Sequence, residues 1–399
     1  MARGFECPQL APGLRHGNSG SGWHGQDCWP ANSISDGKKT SMALPFFQSG
    51  IRKTRDQMVA VDLGSRTTKA VHVQRRGEGF ALCGYLLSDA PIFEKAVSAE
   101  LLTEHLKTVG QSLKAKTKLV VLTVGVNDAL LRSVEMPVLP PDDMRLVLKH
   151  NSRNYLQQDL SNYVFDCHVI NGNPASKPAA QGKGAAATTK QKVLVVGARK
   201  ALIDDFVLGA KGAGMVPDHI VPGLIGPVNA FELAMPEVFK NEVIALVDIG
   251  FKHSTICILQ KGEMILSRTV AIGGDRLTSS LSESMTISYA EAEGIKIGMA
   301  HEVQQTLEAT LTPLGRELRA SIDFFEHQQD KAVSQVYVSG GSARSAVIVQ
   351  ALQSELLVEC KTWNPTSFLQ MELSPEQTSE IEQVGPQLTV ALGAALAAL

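Results

Sequence analysis

Two stretches of this chain repeat one plan. Met58 to Val73 reads MVAVDLGSRTTKAVHV, and Glu242 to Leu259 reads EVIALVDIGFKHSTICIL. Each is an apolar run, an Asp-x-Gly, a few residues of turn and a second apolar run, which is the pattern of a β-hairpin. One Asp-x-Gly hairpin is ordinary turn chemistry. Two of them, each opening an α/β segment, are far less expected by chance, and two such turns can face one another across a cleft. Such a pair can grip a polyphosphate from both sides.

The turn residues carry the matching chemistry. Gly64 lets the backbone approach a ligand closely, Ser65, Thr67 and Thr68 offer hydroxyls and amides, and Lys69 offers charge. Asp248 and Gly250 occupy the second turn. Asp62 and Asp248 are placed to sit near a magnesium ion and hold it through water, because Mg²⁺ in such sites keeps waters and takes few carboxylates. A third element, Gln335 to Leu352, is a strand, then Ser339-Gly340-Gly341-Ser342, then a helix. Small residues there bring a ligand close to backbone amides at a helix N-terminus. A fourth, Tyr289 to Lys296, sets Glu293 and Lys296 three apart on a helix, so both point the same way. A solvated helical face accounts for that spacing equally well.

The rest of the chain fits a soluble α/β protein. Of 399 residues, 44% are hydrophobic and 20% charged, and the net charge of −2 offers nothing to a nucleic-acid partner. No apolar run approaches the ~18 residues that span a bilayer. The six cysteines lie scattered without CxxC spacing, as in a reduced, cytosolic protein. Residues 1–50 lack hydrophobic period and read as a disordered N-terminal extension, with Met42 as a plausible natural start. Strands are expected at 59–63, 69–75, 80–86 and 118–126, with a helix over 98–114. A small inserted α+β subdomain follows at about 130–198, with strands at 131–137, 164–170 and 193–198. A helix begins at Pro140–Asp143, and a low-complexity loop covers 171–192. Helices over 201–212 and 224–234 close a first half spanning 58–240. The second half covers 241–399.

The order of motifs, completed by Ile272-Gly273-Gly274-Asp275, resembles the actin-like ATPase superfamily. Within it, VEMPVLPPDDMRLVLKHNSRNYLQQDLSNYVFDCHVI, KVLVVGARKALIDDFVLGAKGAGMVPDHIV and the ending Val384 to Leu399 are similar to the PilM family of type IV pilus assembly proteins, which is related to FtsA. The resemblance covers residues from about 58 onward. It implies an actin-like fold, two α/β halves around a nucleotide cleft with a small inserted subdomain. It also implies ATP with Mg²⁺ as ligand. Asp62, Gly64, Ser65, Thr67 and Lys69 would form the first phosphate turn and Asp248 and Gly250 the second. Glu293 and Lys296 would face the ribose and adenine, and Gly340 and Gly341 the adenosine. It further implies a partner: the N-terminal cytoplasmic peptide of an inner-membrane, PilN-like protein. That peptide would bind between the first half and the subdomain, in a groove lined from about Leu130 to Tyr163. Other pilus assembly proteins would join, and the chain would be cytoplasmic and reach the membrane only through partners.

The chain departs from the family pattern in both turns. Phe251, Lys252 and His253 stand where relatives place small or hydroxyl residues, and Arg66 is larger than is usual. No residue reads as a base or water-positioning group, so ATP binding is expected with weak or absent turnover. Two alternatives stay open, a sugar-kinase-like phosphotransferase and an FtsA-like division protein. The segment 130–198 holds no evident sugar site, and the C-terminal residues lack the basic or aromatic amphipathic helix of a membrane anchor.

Overall fold

The computed structural model describes residues 5–6, 55–91, 98–170 and 190–399. Most of the expected N-terminal extension and most of the loop over 171–192 lie outside them. Within 1–50 the described residues are β1 (Phe5–Glu6), a short strand at one edge of the first sheet.

The first hairpin and its neighbours form an antiparallel meander. It comprises β2 (Gln57–Leu63), β3 (Thr67–Arg76) and β4 (Gly79–Asp89). Helix α1 (Ala99–Leu113) follows, started by the Ser98 side chain, which accepts the Leu101 N–H. Its Leu102, Leu106 and Val109 stripe is buried against the sheet. β5 (Leu119–Val124) then returns parallel to β2. It is apolar throughout except for Thr123, as expected for a strand covered on both faces.

The inserted subdomain is β6 (Ala129–Pro137), α2 (Pro141–Leu156), β7 (Tyr163–Ile170) and β8 (Lys190–Arg199). Its three strands run antiparallel in the order β6-β8-β7. Alternation along β8 explains why it reads as continuously apolar. Val193 and Val195 pack with Met144 and Leu148 of α2, while Leu194 and Val196 turn to the opposite core. That opposite core reaches the second half through Leu246, Leu259 and Met264.

α3 (Lys200–Gly212) leads to β9 (Val216–Pro222), which pairs in parallel with β5. The sequence did not reveal β9, because Pro217 and Pro222 look like strand breakers. They are tolerated near its two ends. α4 (Gly226–Ala234) and α5 (Pro236–Asn241) carry the chain across to the second half.

There the plan repeats. β10 (Val243–Ile249), β11 (Ser254–Gln260) and β12 (Glu263–Val270) form a second antiparallel meander. After α6 (Gly274–Met285), α7 (Tyr289–Gly298) and α8 (Gln304–Gln329), β13 (Gln335–Ser339) lies parallel to β10, as β5 does to β2. α9 (Ala346–Leu356) and β14 (Cys360–Thr362) complete this sheet. The last elements leave it. β15 (Gln370–Met371) pairs with β4, and α10 (Pro375–Ala398) buries Leu388, Leu392 and Leu396 against the first sheet. Residues 241–399 therefore divide. Their apolar C-terminal helix covers a face of the first sheet that would otherwise be bare.

Candidate functional site

The two Asp-x-Gly turns match residue for residue in their support. Asp62 is the last residue but one of β2 and lies in register with Thr123 on the parallel strand β5; Thr123 Oγ1 donates to Asp62 Oδ1 at 2.9 Å. Asp248 holds the same place in β10, in register with Ser339 on β13; Ser339 Oγ donates to Asp248 Oδ1, also at 2.9 Å. Each carboxylate is thus oriented by a hydroxyl from the strand beside it. Thr123 is a site residue the sequence reading missed; its signal was a single polar residue in an apolar strand.

The turns differ on their other side. Across the antiparallel pairing, Asp62 faces Lys69, whose Nζ lies 3.3 Å from Asp62 Oδ2. Asp248 faces Thr255, which is buried. Burial pushes the Asp248 carboxyl above its usual range, against the Ser339 hydrogen bond and the Lys69 charge, while the Asp62 charge pushes it further up. Lys69 pairs with Asp62, and its charge also acts on Asp248. A Cβ on Gly64 would stand 2.6 Å from Lys69 Nζ and 2.6 Å from the Thr67 carbonyl. Glycine is required at this position for the lysine to fold over the turn. Ser65 is exposed and Thr67 half-buried at the rim. Thr68 is not available to a ligand, since its hydroxyl is buried against His105 Nε2 at 2.7 Å.

The second turn is closed by its own backbone. Gly250 N–H donates to the His253 carbonyl at 3.0 Å, and a Cβ on Gly250 would lie 2.8 Å from that oxygen. Gly273 and Gly274 press on the same turn. Gly274 N–H donates to the Gly250 carbonyl at 2.9 Å, and Asp275 N–H to the Phe251 carbonyl at 2.8 Å. A Cβ on Gly273 would meet the Phe251 carbonyl at 2.4 Å. Ser254 is spent internally, its hydroxyl donating to the Ile272 carbonyl at 2.7 Å.

Glu293 and Lys296 do share a face of α7, and they form one network with α6. Lys296 is buried and donates to Glu293 Oε2 at 2.6 Å, to Thr278 Oγ1 at 2.7 Å and to the Gly274 carbonyl at 3.3 Å. Thr278 Oγ1 also bonds Glu293 Oε2. Burial opposes charge on Glu293, but the Lys296 and Thr278 hydrogen bonds and the Lys296 and Arg66 charges hold its carboxyl below the usual range. Burial also depresses the Lys296 ammonium, against the pull of Glu293. In the Ser-Gly-Gly turn, Gly340 has φ +94° and would place a Cβ 2.4 Å from the Ile249 carbonyl, so only glycine fits. Its N–H donates to the Pro386 carbonyl of α10 at 2.9 Å. A Cβ at Gly341 would meet nothing nearer than Gln387 Oε1 at 3.9 Å, which leaves that backbone open to approach.

The expected residues thus fall into three neighbouring groups: Asp62, Gly64 and Lys69 on one half, Asp248, Gly250, Gly340 and Gly341 on the other, and Glu293 with Lys296 beside the second. Among the described residues no group of three or more His, Cys, Asp or Glu could hold a metal. None of the described helices is long and apolar enough to cross a membrane.

Known proteins share this architecture. A solved PilM–PilN type IV pilus biogenesis complex contains a chain 21% identical to this one, with a TM-score of 0.73 over 86% of this chain and 98% of that one. Ethanolamine utilization protein EutJ from Carboxydothermus hydrogenoformans is 15% identical, with a TM-score of 0.50 over 86% of this chain and 90% of its own. Cell division protein FtsA of Bacillus subtilis (strain 168) is 29% identical over 102 residues, which is 26% of this chain and 22% of FtsA. The fold is that of the actin-like ATPases. The family model described as type IV pilus assembly protein PilM matches residues 60–399, and the chain belongs to that family.

Proposed function

We propose that this chain is a cytoplasmic, ATP-binding assembly protein of a type IV pilus or related secretion system. It captures the N-terminal peptide of a PilN-like inner-membrane protein in a nucleotide-dependent manner. One observation carries the nucleotide half of this proposal: the register-matched Asp62–Thr123 and Asp248–Ser339 pairs, with Lys69 held against Asp62. Two fixed acceptors and one cation at paired glycine turns suit a polyphosphate with a hydrated Mg²⁺, which needs few protein carboxylates. Asp62, Gly64, Ser65, Thr67 and Lys69 would hold phosphate from the first half, and Asp248 and Gly250 from the second. Glu293 and Lys296 would take the ribose side, and Gly340 and Gly341 the adenosine. With turnover weak or absent, the nucleotide serves as a clamp that shifts the balance of open and closed halves.

Family membership and the likeness to the PilM–PilN complex support the peptide half. Val138 and Leu146 add to it, standing 51% and 55% exposed at the β6–α2 corner of the subdomain. Fluorescence anisotropy with a labelled N-terminal peptide of a PilN-like protein, with and without ATP and Mg²⁺, is the test. Tighter binding with nucleotide is expected; no binding in either condition sinks the peptide half. For the nucleotide, Asp62→Ala and Gly341→Asp should each abolish thermal stabilisation by ATP. An unshifted melting curve of the unmodified chain at millimolar ATP rejects nucleotide binding.

A further inference from the structure

We propose that Arg66 is a strap that holds the mouth of the cleft shut, with Phe251 as its landing surface. Arg66 lies in the turn between β2 and β3, on the first half. All three of its side-chain partners belong to the second. Its guanidinium nitrogen is 3.3 Å from Glu293 Oε1. Its Cζ stands 5.2 Å from the centre of the Phe251 ring and 5.9 Å from that of Tyr289. The landing surfaces are themselves fixed. The other Glu293 oxygen is held by Lys296 at 2.6 Å, Tyr289 donates to Asp275 Oδ1 at 2.8 Å, and Asp275 N–H holds the Phe251 carbonyl. A planar, always-charged guanidinium can pair with a carboxylate and lie over aromatic faces at once, which an ammonium does poorly.

The strap also accounts for two oddities together. Arg66 and Phe251 are both bulky where a phosphate turn favours small residues, and they touch each other across the cleft. Each makes sense as the partner of the other. Arg66 is thus a positioning residue that sets how far the halves separate and how fast a ligand passes between them. The effect on ligand passage rests on the nucleotide reading above; the effect on opening does not.

Hydrogen exchange on the full chain without nucleotide tests the opening. Arg66→Ala should speed exchange about tenfold in both Asp-x-Gly turns and in α7, from one partly exposed ion pair and two ring contacts. Exchange in α1 and β4 should stay unchanged, which excludes general unfolding. Arg66→Lys should recover only part of the protection, and Phe251→Ala should add little in the Arg66→Ala background. In a second arm, release of a fluorescent ATP analogue should accelerate about tenfold in Arg66→Ala. Unchanged exchange at the turns in Arg66→Ala overturns the strap, whatever the nucleotide does. Faster exchange in a chain that binds no nucleotide upholds the strap and removes the nucleotide proposal alone.

Discussion

Helices α4 and α10 cross at backbone contact, and Gly393→Ala tests how much of the fold depends on it. A Cβ at Gly393 would fall 1.8 Å from the Gly226 carbonyl oxygen and 2.5 Å from its carbon. Reciprocally, a Cβ at Gly226 would fall 2.6 Å from the Val390 carbonyl. Both obstacles are backbone, so no rotamer change relieves them. To restore a 3.0 Å contact, α10 must retreat by about 1.2 Å. Leu388, Leu392 and Leu396 ride on α10 and are fully buried against the first sheet. Together they contribute about 7 kcal/mol by burial. A gap of that size forfeits at least a quarter of the contact energy, or about 2 kcal/mol. With residual overpacking the total comes to about 3 kcal/mol. For a chain of this length that lowers the thermal midpoint by about 4 °C. Gly294→Ala is the matched control, since nothing lies within 4 Å of its Cβ in the interior of α7. It should stabilise by about 0.5–1 kcal/mol through helix propensity. If Gly393→Ala melts within a degree of the unmodified chain, the backbone crossing is not what sets the helix spacing.

Two further substitutions probe the site's charges. Burial raises the folded-state pKa of Asp248 above its unfolded value, so the folded chain binds the extra proton and stability falls as pH rises through that folded pKa. Asp248→Asn keeps an acceptor for Ser339 and removes the cost. It should raise the thermal midpoint at pH 7, with the gain closing as pH falls toward about 4; a gain that persists at low pH contradicts a charge origin. Lys296→Met leaves Glu293 and Thr278 without their buried cation and should cost about 2–3 kcal/mol by denaturant titration. A loss below 1 kcal/mol would mean that water replaces the ammonium.

What could be read from the sequence was what is local. Both hairpins, the Ser-Gly-Gly turn and the Glu293–Lys296 face are short patterns whose geometry follows from residue type and spacing. Thr123 was hidden because its partner, Asp62, is reached through strand pairing and not along the chain. β9 was hidden by its prolines, and Pro313 and Pro386 interrupt the helical pattern inside α8 and α10. The return of α10 to the first sheet was beyond periodicity altogether. An apolar helix states that it will be buried, not against which sheet. Thr68 shows the opposite error: a hydroxyl that looked available at a turn is consumed by His105.

The same locality explains why the two turns, alike in sequence, do unlike work. Their support is symmetric, a hydroxyl from the parallel strand on each carboxylate. Their charge is not, because β3 supplies Lys69 opposite Asp62 while β11 supplies Thr255 opposite Asp248. In the second turn Asp248 is therefore a buried acid opposite an uncharged residue, and the Lys69 charge from the first half only partly offsets its burial. Arg66 reaches the same way, from the first half to Glu293. Separating the halves removes Arg66 from Glu293, and it takes both the Lys69 and the Asp62 charges away from Asp248. Closure is then favoured by the Arg66–Glu293 pair before any ligand contributes, and the first hairpin is the element through which it acts.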